Sequence, residues 1–295
     1  MKKLWIVMCL LAACGGGLDN GSQIEKLRLL ALRADRPFAR PGERVELQLL
    51  AVDGAARPLE LALATCRSPR DSTVQGCIAA LEGPFEPLEL ENERFSLGIP
   101  GDLLDGVSAQ ARPSVLFGVL IAACPGTLEP GRTADVPIAC RDARGELVPI
   151  ERFEIGYKRI FVRSQDRNEN PQILEVRWDG EAWPEEYVPE VQACDDAATS
   201  DIEDCPKALR HAIGIESSAP ERGVDENGTR FVEQQVVQFY ARSGVFERAA
   251  RVAGESDNQF VLQPNTAGDA TQLWFVVRDD RGGVGWASRR VRARE

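Results

Sequence analysis

Apolar and polar residues alternate with a period of two along most of this chain, the pattern of strands with one buried face. Val45-Glu46-Leu47-Gln48-Leu49 alternates cleanly between the turns Arg40-Pro41-Gly42-Glu43 and Asp53-Gly54. Leu59 to Ala64 alternates again and runs into Cys66. Phe95 to Ile99 is a further strand, stopped by Pro100-Gly101, and Asp102-Leu103-Leu104 reads as one capped helical turn. Val115 to Ala123 is apolar without interruption, so it predicts a central strand, with Val136 to Ala139 as its neighbour. Phe153 to Tyr157 alternates and then changes phase before Ile160 and Val162, as a β-bulge would make it do.

The pattern restarts after Ser164. Ile173 to Trp178 and Ala212 to Ile215 are strand-like. Phe231 to Tyr240 also fits a helix face, but its β-branched and aromatic content favours a strand. Leu273 to Val277 leads through Arg278-Asp279-Asp280-Arg281-Gly282-Gly283 into Val284 to Ala293, a terminal hairpin. The expected class is all-β, built as two tandem β-sandwiches at residues 24–164 and 165–295.

The first residues follow a different rule. Lys2 and Lys3 precede an uncharged apolar run, Leu4 to Leu11, which is too short to span a bilayer and is laid out as a secretory signal. Leu11-Ala12-Ala13-Cys14 resembles the lipobox of bacterial lipoproteins. That resemblance implies cleavage after residue 13 and a diacylglycerol on the Cys14 thiol; two or three acyl chains on one residue anchor stably. Gly15 stands where an aspartate commonly retains such proteins in the inner membrane, so the resemblance implies the outer membrane, with the face left open. Residues 14–23, rich in Gly and polar side chains, read as a flexible tether.

Composition narrows the partners. The formal net charge is −11, and losing Lys2 and Lys3 makes it more negative. With no basic tract, nucleic acid is not an expected partner. Beyond Cys9 and Cys14 there are six cysteines: Cys66, Cys77, Cys124, Cys140, Cys194 and Cys205. An exported chain would oxidise them, and although six cysteines allow fifteen connectivities, locality favours pairing each with its sequence neighbour. No CxxC or HxxxH spacing points to zinc.

Both halves resemble immunoglobulin-like or fibronectin-type modules of bacterial surface proteins, through Ala39-Arg40-Pro41-Gly42-Glu43 before an alternating strand and through the closing hairpin. The whole is similar to uncharacterised envelope lipoproteins of Gram-negative bacteria.

Catalytic motifs are missing from the sequence. There is one histidine, His211, with no GxSxG elbow, P-loop, GxGxxG or HExxH around it, and a non-enzymatic protein is expected. The junction Ser164-Gln165-Asp166-Arg167-Asn168-Glu169-Asn170-Pro171 resembles the calcium-binding linker of cadherins, Asp-x-Asn-Asp-Asn-x-Pro, departing at Glu169 and in the spacing to Pro171. The resemblance implies calcium at Asp166, Asn168 and Glu169, stiffening a hinge. Acidic residues also cluster between Cys194 and Cys205 (Asp195, Asp196, Asp201, Glu203, Asp204) and in the turn Asp225-Glu226-Asn227-Gly228. The expected role is a lipid-anchored envelope spacer or protein-interaction module, partner unknown. The alternative is a receptor for glycan or another ligand, using loops at a sandwich end and an aromatic such as Trp286. Mass spectrometry of the natural product should find residues 1–13 removed and Cys14 acylated; an unacylated chain that keeps its leader would refute the anchor.

Overall fold

A computed structural model describes residues 21–68, 73–133, 136–194, 202–264 and 270–294. The signal, Cys14 and the acidic 195–201 segment, with Asp195, Asp196 and Asp201, lie outside the described residues. The chain is all-β, arranged as several sheets that pack face to face. No described helix is long and apolar enough to cross a membrane.

In the first half, Arg28–Ala34, Arg44–Val52 and Arg94–Gly98 form a three-stranded sheet. It faces a five-stranded sheet ordered Phe38–Ala39, Glu154–Val162, Leu116–Cys124, Glu60–Arg67, Glu86–Pro87. Leu32, Val45, Leu47 and Leu49 meet Phe117, Val119, Ile121, Ile160 and Val162 between them. In the second half, a sheet centred on Ile173–Trp178 and His211–Ser217 faces one centred on Gln235–Ala241, Thr271–Asp279 and Val284–Ala293. Trp178, Ile213 and Phe260 of the one sheet pack on Phe239, Leu273, Phe275 and Val291 of the other. The 231–240 segment is therefore extended, as its β-branched residues favoured, but as two strands, Arg230–Val232 and Gln235–Ala241, that belong to different sheets. The closing hairpin pairs Thr271 to Arg278 with Val291 to Val284.

Both faces of the strand Leu116–Cys124 are buried, which explains its unbroken apolar run. Phe117, Val119 and Ile121 point to the main core. Leu120, Ala122 and Cys124 point outward, where two disulfide-held segments cover them. Cys66–Cys77 ties one segment down and Cys124–Cys140 the other; Cys194–Cys205 does the same in the second half. Each bond joins sequence neighbours, as locality favoured, and loops of this length contribute roughly 3 kcal/mol apiece in the chain-entropy account.

Three expectations need correction. The strand Val136–Arg141 pairs with Thr127–Thr133, not with the central strand; its ribbon lies over that strand's outer face, and Cys124–Cys140 joins the layers. The phase change near Tyr157 is not a bulge, because Glu154 to Phe161 pairs with Ala123 to Leu116 in unbroken register. Phe153, Ile155 and Tyr157 serve the outer layer, while Lys158, Ile160 and Val162 are buried on the inner side. Two covered faces produce two apolar phases. Asp102 to Asp105 closes as a hydrogen-bonded turn and not a helix.

The outer cover requires Gly118. A Cβ there would lie 2.3 Å from Cys66 Sγ and 2.9 Å from both Cys77 Sγ and Tyr157 Cε2. Gly118→Ala should destabilise the fold by at least about 2 kcal/mol, because a disulfide cannot move aside as a flexible side chain can. Denaturant unfolding checks this, and a neutral result would mean that the cover is looser than described.

Candidate functional site

The concentration of buried polar chemistry lies where the two halves meet. The outer face of the three-stranded sheet is apolar at Leu30, Leu50 and Val52, and it packs on Trp274, Val276 and Val284 of the second half. Ile24 and Tyr240 join this seam. The residues read as tether engage it too: Ala241 donates to Ser22 O and accepts from Ile24 N, both at 2.8 Å. Ser22, within the stretch expected to be loose, is thus tied to the second half.

Polar contacts surround the seam. Asn170 donates from Nδ2 to Ala34 O (2.7 Å) and accepts at Oδ1 from Val284 N–H (2.9 Å), clasping one strand from each half. Arg278 donates from Nη2 to Leu30 O and from Nε to Gln238 Oε1 at 2.7 Å. Arg242 Nη2 donates to Asp53 O at 3.2 Å. The guanidinium of Arg281 lies 3.7 Å from the Phe231 ring centroid and 4.8 Å from that of Phe38, a cation–π bridge across the joint. Lys158, only 6% exposed, donates from Nζ to Gly282 O at 2.5 Å.

The linker residues expected to gather calcium are placed apart in function. Asp166 Oδ2 accepts from Glu226 N–H (2.9 Å), and Glu226 Oε2 in turn accepts from the N–H groups of Ser164 and Gln165. Buried Asn168 donates from Nδ2 to Asp279 Oδ2 at 3.4 Å, and its Oδ1 has no hydrogen-bond partner. The Glu169 side chain is exposed, and its N–H donates to Glu221 Oε1. No group of three or more His, Cys, Asp and Glu among the described residues is placed to hold a metal ion. Two features that looked separate in sequence, the junction and the Asp225-Glu226 turn, meet here.

The sequence reading missed Lys158, Asn170, Arg278 and Arg281. One signal was available. Gly283 read as a loop glycine and Gly285 as part of the closing strand, but a Cβ on Gly283 would lie 2.8 Å from Pro171 Cδ, and one on Gly285 2.1 Å from Pro171 O. They let the linker backbone press against the hairpin.

Beside the seam lies a polar groove of about 710 Å³, lined by Arg33, Gln48, Arg94, Asn170, Gln172 and Trp286. Trp286 is half-buried, with the Arg33 guanidinium 4.7 Å from its ring centroid. Burial and then Arg94 hold the Arg33 pKa below its ordinary value, against the pull of Glu46. Elsewhere, His211 Nδ1 lies 2.8 Å from Asp179 Oδ2, and its ring stacks on Trp178 at a centroid distance of 4.5 Å. Asp179 Oδ1 also accepts from Ala212 N–H, so the pair pins a strand end. Among the described residues of the acidic disulfide loop, Ile202–Asp204 forms a short turn whose Glu203 carbonyl accepts from Arg210.

The chain matches no protein-family model, and no curated protein is similar to it in sequence. Two solved structures share a remote likeness with it. The dimeric latent PorU of Porphyromonas gingivalis is 10% identical with a TM-score of 0.22; the match covers 92% of this chain and 24% of that one. Red sea bream transglutaminase is 9% identical with a TM-score of 0.23, over 92% of this chain and 32% of its own. The chain thus spans a quarter to a third of the length of each, and such scores carry no functional argument.

The joint has a pH signature. Burial foremost, then the nearby Arg278 and Arg159, pushes the Lys158 amine down from 10.5 to about 7, against the opposing pull of Asp279. Between those values the unfolded chain binds more protons than the folded one, so stability should climb as pH rises from about 7 towards 10.5. The climb would be at most about 5 kcal/mol. Denaturation at low salt across this range should show it in the natural chain and lose it in Lys158→Met; equal slopes would place the amine in water.

Proposed function

We propose that this chain is a non-enzymatic envelope lipoprotein, held in the outer membrane through Cys14, in which two immunoglobulin-like sandwiches act together as a stiff spacer and protein-interaction module. The observation that carries this reading is the seam, in which Leu30, Trp274, Val276 and Val284 are buried between the halves while Asn170, Arg278 and Lys158 fix their register. Tandem modules with a small polar contact would swing, whereas a large apolar one moves as a unit. A stiff body on a lipid anchor sets the distance between a membrane and whatever its outer end touches. The acidic charge keeps such a body soluble and away from anionic lipid surfaces.

The receptor reading draws support from the groove, where the Arg33–Trp286 stack stands beside the side-chain amides of Gln48 and Gln172. The aromatic side chains weigh against it. Tyr187, at 54%, is the single exposed aromatic among the described residues, so no row of rings is presented to a sugar.

Spin labels at Glu89→Cys and Val224→Cys, one in each half, test the spacer reading in the full chain. A single narrow distance distribution is expected, and Asn170→Ala with Arg278→Ala should broaden it. A broad distribution in the natural chain would refute the stiff-body reading. Cross-linking in intact cells should then capture a defined envelope protein. Capture of glycan alone would favour the receptor.

A further inference from the structure

Two cations share one internal cavity at the joint. Lys158 and Arg278 both line a space of about 80 Å³ whose other walls include Leu29, Leu32, Leu49 and Tyr157. Lys158 comes from the first half and Arg278 from the second. Among the described residues, neither lies within 4.0 Å of a carboxylate. The nearest acidic influence on Lys158 is Asp279, whose oxygens are otherwise engaged. Its Oδ1 accepts from the N–H groups of Arg281 (2.9 Å) and Gly283 (2.7 Å), and its Oδ2 from Asn168.

Like charges brought together in a low-dielectric space repel, and buried charge is tolerated when it is paired. The protein supplies neutral acceptors here, Gly282 O for Lys158 and Leu30 O with Gln238 Oε1 for Arg278. These use some of the N–H donors, but none carries a full negative charge. A mobile anion in the cavity would add to the pull of Asp279 and supply the charge that these neutral acceptors lack.

We propose that this cavity binds a small monovalent anion of the halide class, held between the Lys158 ammonium and the Arg278 guanidinium and bridging the two halves. The size fits: a water needs only about 15 Å³ of such space, so one halide with a water or two fills the cavity, whereas a sugar or nucleotide does not enter. The walls fit as well. Leucine side chains offer no donors to a strongly hydrated divalent anion such as sulfate, while a halide sheds its water more readily and needs few hydrogen bonds. Burial already lowers the Lys158 pKa, and a bound anion would oppose that fall, keeping the amine charged at neutral pH. Anion binding would therefore be coupled to closure of the seam, because each half contributes one of the two cations.

The test is thermal unfolding of the full chain in detergent at fixed ionic strength, with sodium gluconate replaced stepwise by sodium chloride. A saturable rise in Tm is expected, about 3 °C at tenfold excess over Kd, with bromide substituting for chloride and sulfate not. Lys158→Met should abolish the dependence. A Tm that is flat on replacement at matched ionic strength, or a rise retained in Lys158→Met, would overturn the proposal. Should that variant fail to fold, crystals of the natural chain soaked in bromide decide the matter. An anomalous peak between Lys158 Nζ and the Arg278 guanidinium supports the site, and its absence refutes it.

Discussion

A β-sheet has two faces, and in this protein the second face must be covered as thoroughly as the first. The inner faces pair within each half in the ordinary way of packed sheets. The outer faces are where the chain departs from a minimal sandwich. On the Leu116–Cys124 side, small residues such as Gly118 and Ala122 let disulfide-held segments lie close. On the opposite side, Leu30, Leu50 and Val52 leave an apolar surface that only the second half covers. At about 25 cal/mol per Å² of apolar area withdrawn from water, exposing that surface would cost several kcal/mol. The relation between the halves is therefore a consequence of sheet burial.

That constraint also explains what could be read in the sequence. Alternation identified the strands because each inner face supplies a clean period-two signal, as in Val45 to Leu49. The unbroken run at 115–123 announced burial on both sides. Locality was enough to pair the cysteines. What covers an outer face, however, is a long-range matter with no local period. Phe153 to Val162 carries apolar residues for two different layers, and on paper that resembles a bulge.

The site residues failed to show themselves for the same reason. Lys158 occupies an inner-facing position of its strand, where a lysine is rare; it lines the same space as Leu29, Leu32 and Leu49, and the hairpin turn at Gly282 takes its amine. Asn168 and Asn170 stood among oxygen-bearing residues that look like cation ligands. In the fold, Asn170 uses both ends of its amide to hold backbone from two different strands. A side-chain amide offers a donor and an acceptor to protein or metal alike, and composition does not say which will arrive. Here these amides engage protein groups, Asn168 on Asp279 and Asn170 on Ala34 and Val284.

An apolar seam alone would not suffice for a joint of fixed geometry. Apolar contact is non-directional, so two flat sheet faces can slide or rotate with little loss of buried area. Directional groups at the margin remove that freedom. Asn170 fixes the relative height of strands 28–34 and 284–293, Arg278 reaches a defined carbonyl at Leu30, and Arg281 stacks between Phe38 and Phe231. Each of these groups gives up hydration, and a buried cation without a carboxylate gives up most. In isolation a well-packed leucine at position 278 would be the more stable choice. The retention of these groups makes sense if one arrangement of the halves has to be favoured over its near neighbours, because a shift of one residue would strand every one of these donors without its acceptor.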